Sequence, residues 1–234
     1  MEATSKTVAR TLDPAVHAVR RDVFIDAAQR LIQAKGYEQM SVQDVLDEAG
    51  ASKGAFYHYF DSKSALLDGV IQRMVTDSLE TLQPIVTDPN RSAIEKLNGL
   101  FAGMASWKAQ RKELLLAVLR VWLSDDNAIV RDKFRRGVVA KLTPVFTTII
   151  RQGVADGSFT VTSADHAARV LVSLVLGANE HAGDLYVARQ AGHVPFELIE
   201  GALAAYPQAF ERILGARPGS LRIIDREVLH EWYG

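Results

Sequence analysis

Two short helices, each with its own start signal and separated by one glycine turn, constrain this chain more than any other feature. Ser41 precedes "VQDVLDEAG", with Asp44 three residues on. That is the spacing of a capping box, and Gly50 is the matching stop. Ser52 opens a second short helix two residues later. Two helices of about two turns each, joined by a tight glycine-containing turn, describe a helix-turn-helix. Ala49 is small where the helices approach, and Val45 and Phe56 are the apolar residues expected to pack across the corner. An amphipathic helix over residues 16–34 precedes them, with Val19, Val23, Ala27, Arg30, Leu31 and Ala34 roughly in line, and it ends at Gly36. Ser62 caps a following helix over residues 63–82.

The rest of the chain also reads as helix. Apolar residues recur at three- and four-residue spacing and strand-like alternation is nearly absent, so the class is all-α. Breaks fall at "KGYEQMS", "EAGASKG", "QPIVTDPNRS", "LSDDN", "ADGSFTVTS", "RQAGHVP" and "GARPGS". They divide the chain into a flexible tail (1–15), the helix-turn-helix domain (16–70), a larger helical body (84–215) and an amphipathic extension (216–234). The helix over 63–82 links the two domains. The clearest boundary is "QPIVTDPNRS", with Pro84 and Pro89.

Composition narrows the chemistry. With 234 residues, 48% of them hydrophobic, the chain can build a sizeable core. It has no cysteine, which excludes disulfides, thiolate metal sites and cysteine nucleophiles and makes a cytoplasmic home the simplest expectation. No apolar run is long enough to span a membrane, and the first residues lack a signal-peptide core. There is no nucleophile–base pair, HExxH, phosphate loop or pair of Glu-x-x-His motifs. The expectation is therefore no enzyme, no cofactor and no bound metal. The net charge is −1, so any affinity for nucleic acid must come from local positive charge.

The stretch "ASKGAFYHYFDSKSALL" supplies such a locality. A helix that enters the major groove needs small residues in its first turn, and Gly54 and Ala55 provide them. Lys53 offers a donor to base edges or phosphate. Phe56 and Phe60, four apart, can face the core together, which leaves Tyr57, His58 and Tyr59 outward. Their hydroxyl and imidazole groups can donate to phosphates, and their rings can touch thymine methyls. Lys63, in the first turn of the next helix, would attract a phosphate together with that helix terminus.

"SVQDVLDEAGASKGAFYHYFDSKSALLDGVI" resembles the DNA-binding signature of TetR-type (tetracycline-repressor-like, TetR/AcrR) transcriptional regulators. The family's Tyr-x-x-Phe-x-x-Lys run is matched by Tyr57, Phe60 and Lys63, and the likeness covers roughly residues 20–70. It implies an N-terminal three-helix DNA-binding domain and a larger C-terminal helical domain for ligand binding and dimerisation. It also implies a homodimeric repressor on a near-palindromic double-stranded operator, released by a small, largely apolar effector. A regulator or activator controlled by a protein partner is the alternative. Carried over residue by residue, Lys53, Gly54 and Ala55 face bases, while Ser41, Tyr57, His58, Tyr59 and Lys63 face phosphates. Ser52 opens the recognition helix. The chain departs from the pattern at Gly54, which has no side chain where family members place a base-reading residue. Residues 20–63 carry six Lys/Arg against seven Asp/Glu, so a single domain should bind DNA weakly and a dimer would double the contacts. Lys6 and Arg10 in the tail add positive charge.

The body offers weaker signals. Phe101, Met104, Trp107 and Trp122 belong to an aromatic and apolar supply that either lines a ligand pocket or forms plain core. Arg120, between apolar runs, is either a counter-charge for an anionic ligand or a snorkelling surface residue. The helix beginning "SADHAARVLVSLVLG" is expected to present Ala167, Val170, Leu171, Leu174, Ala178, Ala182 and Leu185 on its apolar face. Asn179 and His181 at the end of that face are polar groups suited to orienting a ligand. Gly177, Ala178 and Ala182, opposite Ile199, Ala202, Leu203, Tyr206 and Phe210, pair small residues with large ones, as a two-fold helix interface would. The last segment, "SLRIIDREVLHEWYG", reads as one amphipathic helix with Leu221, Ile224, Val228 and Trp232 aligned.

Overall fold

The computed structural model describes residues 14–122 and 128–234, so Lys6 and Arg10 lie outside the described residues. Among the described residues there are ten helices and no strand. They are α1 (Pro14–Lys35), α2 (Val42–Ala49), α3 (Lys53–Tyr59), α4 (Lys63–Thr87), α5 (Ala93–Ala109), α6 (Lys112–Trp122), α7 (Ala128–Ala155), α8 (Ala164–Gln190), α9 (Phe196–Leu214) and α10 (Arg226–Tyr233). The chain divides into two compact units, Met1–Val70 and Ile71–Gly234, with the boundary inside α4.

In the first unit, local signals set the turns. Ser41 Oγ accepts from Asp44 N (3.1 Å), and Asp44 Oδ2 accepts from Ser41 N (2.7 Å). Gly50 closes α2 in a left-handed conformation (φ 59°), where a side chain would be strained. Ser52 Oγ accepts from Ala55 N (3.2 Å) to start α3, and Ser62 Oγ accepts from Ala65 N (3.0 Å) to start α4. The buried face of α1 differs from the spacing-based expectation. Phe24, Ile25, Ala28 and Ile32 are inside with Ala27, whereas Val19 is 65% exposed and Arg30 and Ala34 face solvent. The valine row and the Phe24–Ala28–Ile32 row both satisfy helical spacing. The row with the phenylalanine and isoleucines buries more apolar surface and wins.

The second unit is built mainly from α5, α7, α8 and α9 around Leu97, Phe146, Ile149, Ile150, Leu171, Val172, Phe210 and Leu214. α4 continues through Pro84, where the sequence suggests a break, because Ile85 and Val86 pack on this core one turn later. It stops before Asp88, whose successor Pro89 disfavours helical geometry there. On α8 the buried residues are Ala168, Leu171, Val172, Leu176, Gly183 and Leu185, and Val170 is 49% exposed, so the expected stripe is rotated. The last segment is not one continuous helix. Leu221 joins the main core, Asp225 caps α10, and α10 buries Leu229 and Tyr233 against α8 and α9. Asn98 on α5 accepts from Arg222 N (2.8 Å) and donates to Ser220 O (3.1 Å), which ties this segment down. No helix of the described residues is long and apolar enough to cross a membrane.

Asp44 also accepts from Lys35 Nζ (2.8 Å). That bond, followed by those from the Ser41 backbone and side chain, holds its carboxyl well below the usual carboxylate range. A depressed carboxylate contributes stability above its unfolded value of about 3.9, and the contribution disappears as pH falls through the folded value. The stability gap between the parent and Asp44→Asn should therefore be full at neutral pH and close below about pH 4. Urea unfolding at several pH values measures it, and a gap that stays constant into acid would remove Asp44 from this role.

Candidate nucleic-acid interface

α3 is held by its two phenylalanines. Phe56 and Phe60 are buried, and both rings meet Phe24 of α1 edge-on, at 5.6 and 6.3 Å between centroids. With this side anchored, the intervening residues turn outward. Tyr57 and His58 are exposed and Tyr59 is half-buried, as are Ala55 and Lys63, while Ser52, Lys53 and Gly54 are exposed. Lys53 Nζ lies 6.0 Å from the Tyr57 ring centroid, so cation and phenol share one outward patch.

Gly54 is informative because the fold does not need it. Its φ is not positive, and a Cβ built there would meet no atom within 4 Å. A glycine inside a helix costs roughly 0.5–1 kcal/mol relative to alanine. That cost serves no packing within the chain, and it leaves the backbone of α3 open to close approach.

Other candidates carry internal duties. The Ser41 hydroxyl is engaged in the α2 cap. Lys63 Nζ donates to Glu38 O (3.3 Å) and sits 4.2 Å from the Tyr37 ring centroid, so the loop before α2 already holds its charge. α1 contributes neighbours that local spacing does not reveal. His17 lies against His58 and Tyr59, and Arg20 lines a cleft of about 260 Å3 with Ala51, Ala55, His58 and Tyr59. These residues are some forty positions apart, and no periodic signal links them.

The ligand candidates of the second unit are dispersed. Phe101 and Met104 pack on the main core, with Phe101 5.5 Å from Phe210. Trp122 meets Phe134 at 4.8 Å. The side chain of Arg120 lies outside the described residues. His181 Nδ1 and the Tyr206 hydroxyl are 3.3 Å apart. Trp107 is buried with its Nε1 unpartnered among the described residues, and the Arg111 guanidinium lies over its ring at 4.5 Å. Next to it in sequence, Lys108 donates to Asn179 Oδ1 (2.6 Å), and burial pushes its ammonium down to about 8. No group of three or more potential metal ligands occurs among the described residues.

Three of the expected interface residues are corrected. Ile199 and Leu203 are buried under α10 with Leu185, and Phe210 is buried in the main core, so none of them is available to another chain. Their apolar face already has partners within the chain. Gly177, Ala178, Ala182, Ala202 and Tyr206 remain partly accessible.

Comparison with known proteins agrees with this geometry. Residues 24–70 match the family described as bacterial regulatory proteins, tetR family. Over 154 residues the chain is 32% identical to the HTH-type transcriptional repressor KstR2 of Mycolicibacterium smegmatis, covering 62% of this chain and 70% of that one. It is 25% identical over 142 residues to the HTH-type transcriptional regulator EthR of the same organism, covering 53% and 65%. The fold is similar to a TetR-family regulator structure from Syntrophomonas wolfei, with a TM-score of 0.59 at 18% identity, covering 83% of this chain and 96% of that one.

Replacing Gly54 with alanine is expected to stabilise the free protein by about 0.5–1 kcal/mol while weakening its hold on DNA. Thermal unfolding and duplex-binding titrations of the same preparation check both halves, and a variant that gains stability with unchanged affinity would free Gly54 from the interface. Fold and relatives agree: the chain belongs to the tetR family of bacterial regulatory proteins and is a DNA-binding transcriptional regulator, not an enzyme.

Proposed function

We propose that this regulator is a homodimeric repressor that binds a near-palindromic operator and is released by a small effector. The observation that carries the DNA half is the outward patch on α3, with Lys53, Gly54, Tyr57 and His58 exposed over the anchored Phe56 and Phe60. Lys53 reads a base edge or takes a phosphate, the Gly54–Ala55 turn lets the backbone approach the groove, and Tyr57, His58 and Tyr59 donate to phosphates. Ser41, Ser52 and Lys63 shape the edges of this surface through the caps and the Tyr37 contact.

Dimerisation through α8 and α9 is supported by what remains uncovered on them. Val170 is 49%, Val187 46% and Leu198 50% exposed, and Gly177 and Ala178 lie on the same helix as the two valines. Small residues beside exposed apolar ones suit close helix packing around a two-fold axis. The effector reading rests on Trp107. A buried indole N–H without a partner is costly, and an acceptor on a bound molecule would satisfy it. The effector then acts only through its different affinity for two arrangements of the dimer. In one of them α4 sets the separation of the two α3 helices for the operator, and in the other it does not.

Two measurements test this. Native mass spectrometry of the purified protein is expected to give the mass of two chains, with any additional mass lost on denaturation identifying an occupant. A monomer both alone and on DNA would overturn the two-fold reading. In binding titrations, Tyr57→Ala should weaken all duplex sequences about equally and reduce the salt slope by about one. Lys53→Ala should relax preference at one position of each half-site by about 1–3 kcal/mol. An unaltered salt slope in the first, or an unaltered preference profile in the second, would reassign that residue.

A further inference from the structure

Residues 14–70 contain two histidines, His17 and His58, and the fold brings them together at the edge of α3. Their ring centroids are 5.6 Å apart, and each also meets Tyr59, at 4.7 and 4.8 Å respectively. His58 is exposed and His17 half-buried, so both rings are open to solvent. Arg20, one turn along α1 from His17, lines the cleft that His58 and Tyr59 also border. Among the described residues, the charged and titratable groups near the pair are Arg20 and Arg21 on α1, the latter turned over the Phe60 ring, and the Tyr59 phenol on α3.

The electrostatics of the unit give this cluster weight. Residues 14–70 carry six Lys/Arg and eight Asp/Glu. Two of the six bases are already paired, Arg30 with Glu48 and Lys35 with Asp44, and Lys63 is seated on Tyr37. A DNA-binding unit with so little free positive charge has weak phosphate attraction. Histidine is the side chain whose unperturbed charge change falls between pH 5 and 8, and both of this unit's histidines lie together at the edge of α3.

We infer that His17 and Arg20 extend the DNA interface from α3 onto α1, and that His17 and His58 take up protons as the duplex docks. Phosphates beside the two rings favour the charged imidazoles over the neutral ones, so binding and protonation favour one another. Affinity rises as pH falls, and the protein holds its operator more tightly in mildly acidic conditions. This inference rests on α3 being the helix that faces DNA.

The test uses the full chain and a duplex selected in vitro by the protein from a random pool, with affinity read by fluorescence anisotropy at constant ionic strength. The parent is expected to gain about tenfold or more in affinity between pH 8.0 and pH 6.0. His17→Gln and His58→Gln should each lose a large part of that gain, and the double variant nearly all of it. Thermal unfolding of all three variants at pH 8.0, with midpoints close to the parent's, checks that they fold. A parent without pH dependence overturns the proposal. So does a double variant that keeps the parent's gain, since the protons would then be taken up elsewhere, and so do variants weakened equally at both pH values, which would make the pair structural. Loss of binding in Tyr57→Ala with the pH gain intact in the double histidine variant would keep the α3 reading and remove this one alone.

Discussion

The packing of Phe56 and Phe60 against Phe24 is the interaction on which the exposed face of α3 depends. α3 is seven residues long, too short to be stable by itself. It exists because Ser52 caps it and because two rings on one side are buried edge-on against α1. Everything the helix offers outward follows from that anchoring. With positions 56 and 60 inside, positions 53, 54, 57 and 58 have nowhere to go but solvent. The same contact brings α1 alongside, and with it His17 and Arg20. The exposed surface beside α3 is thus composed from two segments brought together by the aromatic cluster beneath them.

The second unit uses its resources differently. Its apolar supply goes first into joining α5, α7, α8 and α9, and then into seating the last segment of the chain. α10 covers Ile199, Leu203 and Leu185, and the Tyr233 hydroxyl donates to Ala182 O (2.9 Å). Burial pushes that phenol up to about 12, so it stays a neutral donor throughout the physiological range. Glu211, buried on α9, accepts from Leu221 N (3.0 Å) and fixes the approach to α10. The uncovered remainder of α8 and α9 is consequently narrower than their sequences suggest. It is the part marked by Val170, Val187 and Leu198.

Trp107 and Gly54 are exceptions of the same kind. Each violates a local rule, one by burying an unpartnered donor and the other by placing glycine in a helix with open space around it. Neither violation improves the free chain. Departures of this sort from local rules concentrate at sites of function, which is why the proposed duplex contact at Gly54 and the proposed effector contact at Trp107 are built on them.

Much of the first unit was legible in the residues alone. The Ser41–Asp44 box, the Gly50 stop, the Ser52 cap and the Phe56–Phe60 pair all act within four positions of one another, so their physics is complete in a short stretch of chain. The sequence by itself determined the all-helical class, the two capped helices with their turn, and the outward direction of Tyr57 and His58. Only the tertiary structure decided which of two equally spaced rows on α1 and α8 is buried, that Ile199, Leu203 and Phe210 are inside, that Lys63 is spent on Tyr37, and that His17 meets His58. The reason is that helical spacing says which side chains share a face, whereas burial of that face depends on which distant segment supplies the matching apolar surface. For α9 that segment is α10, and for α3 it is α1.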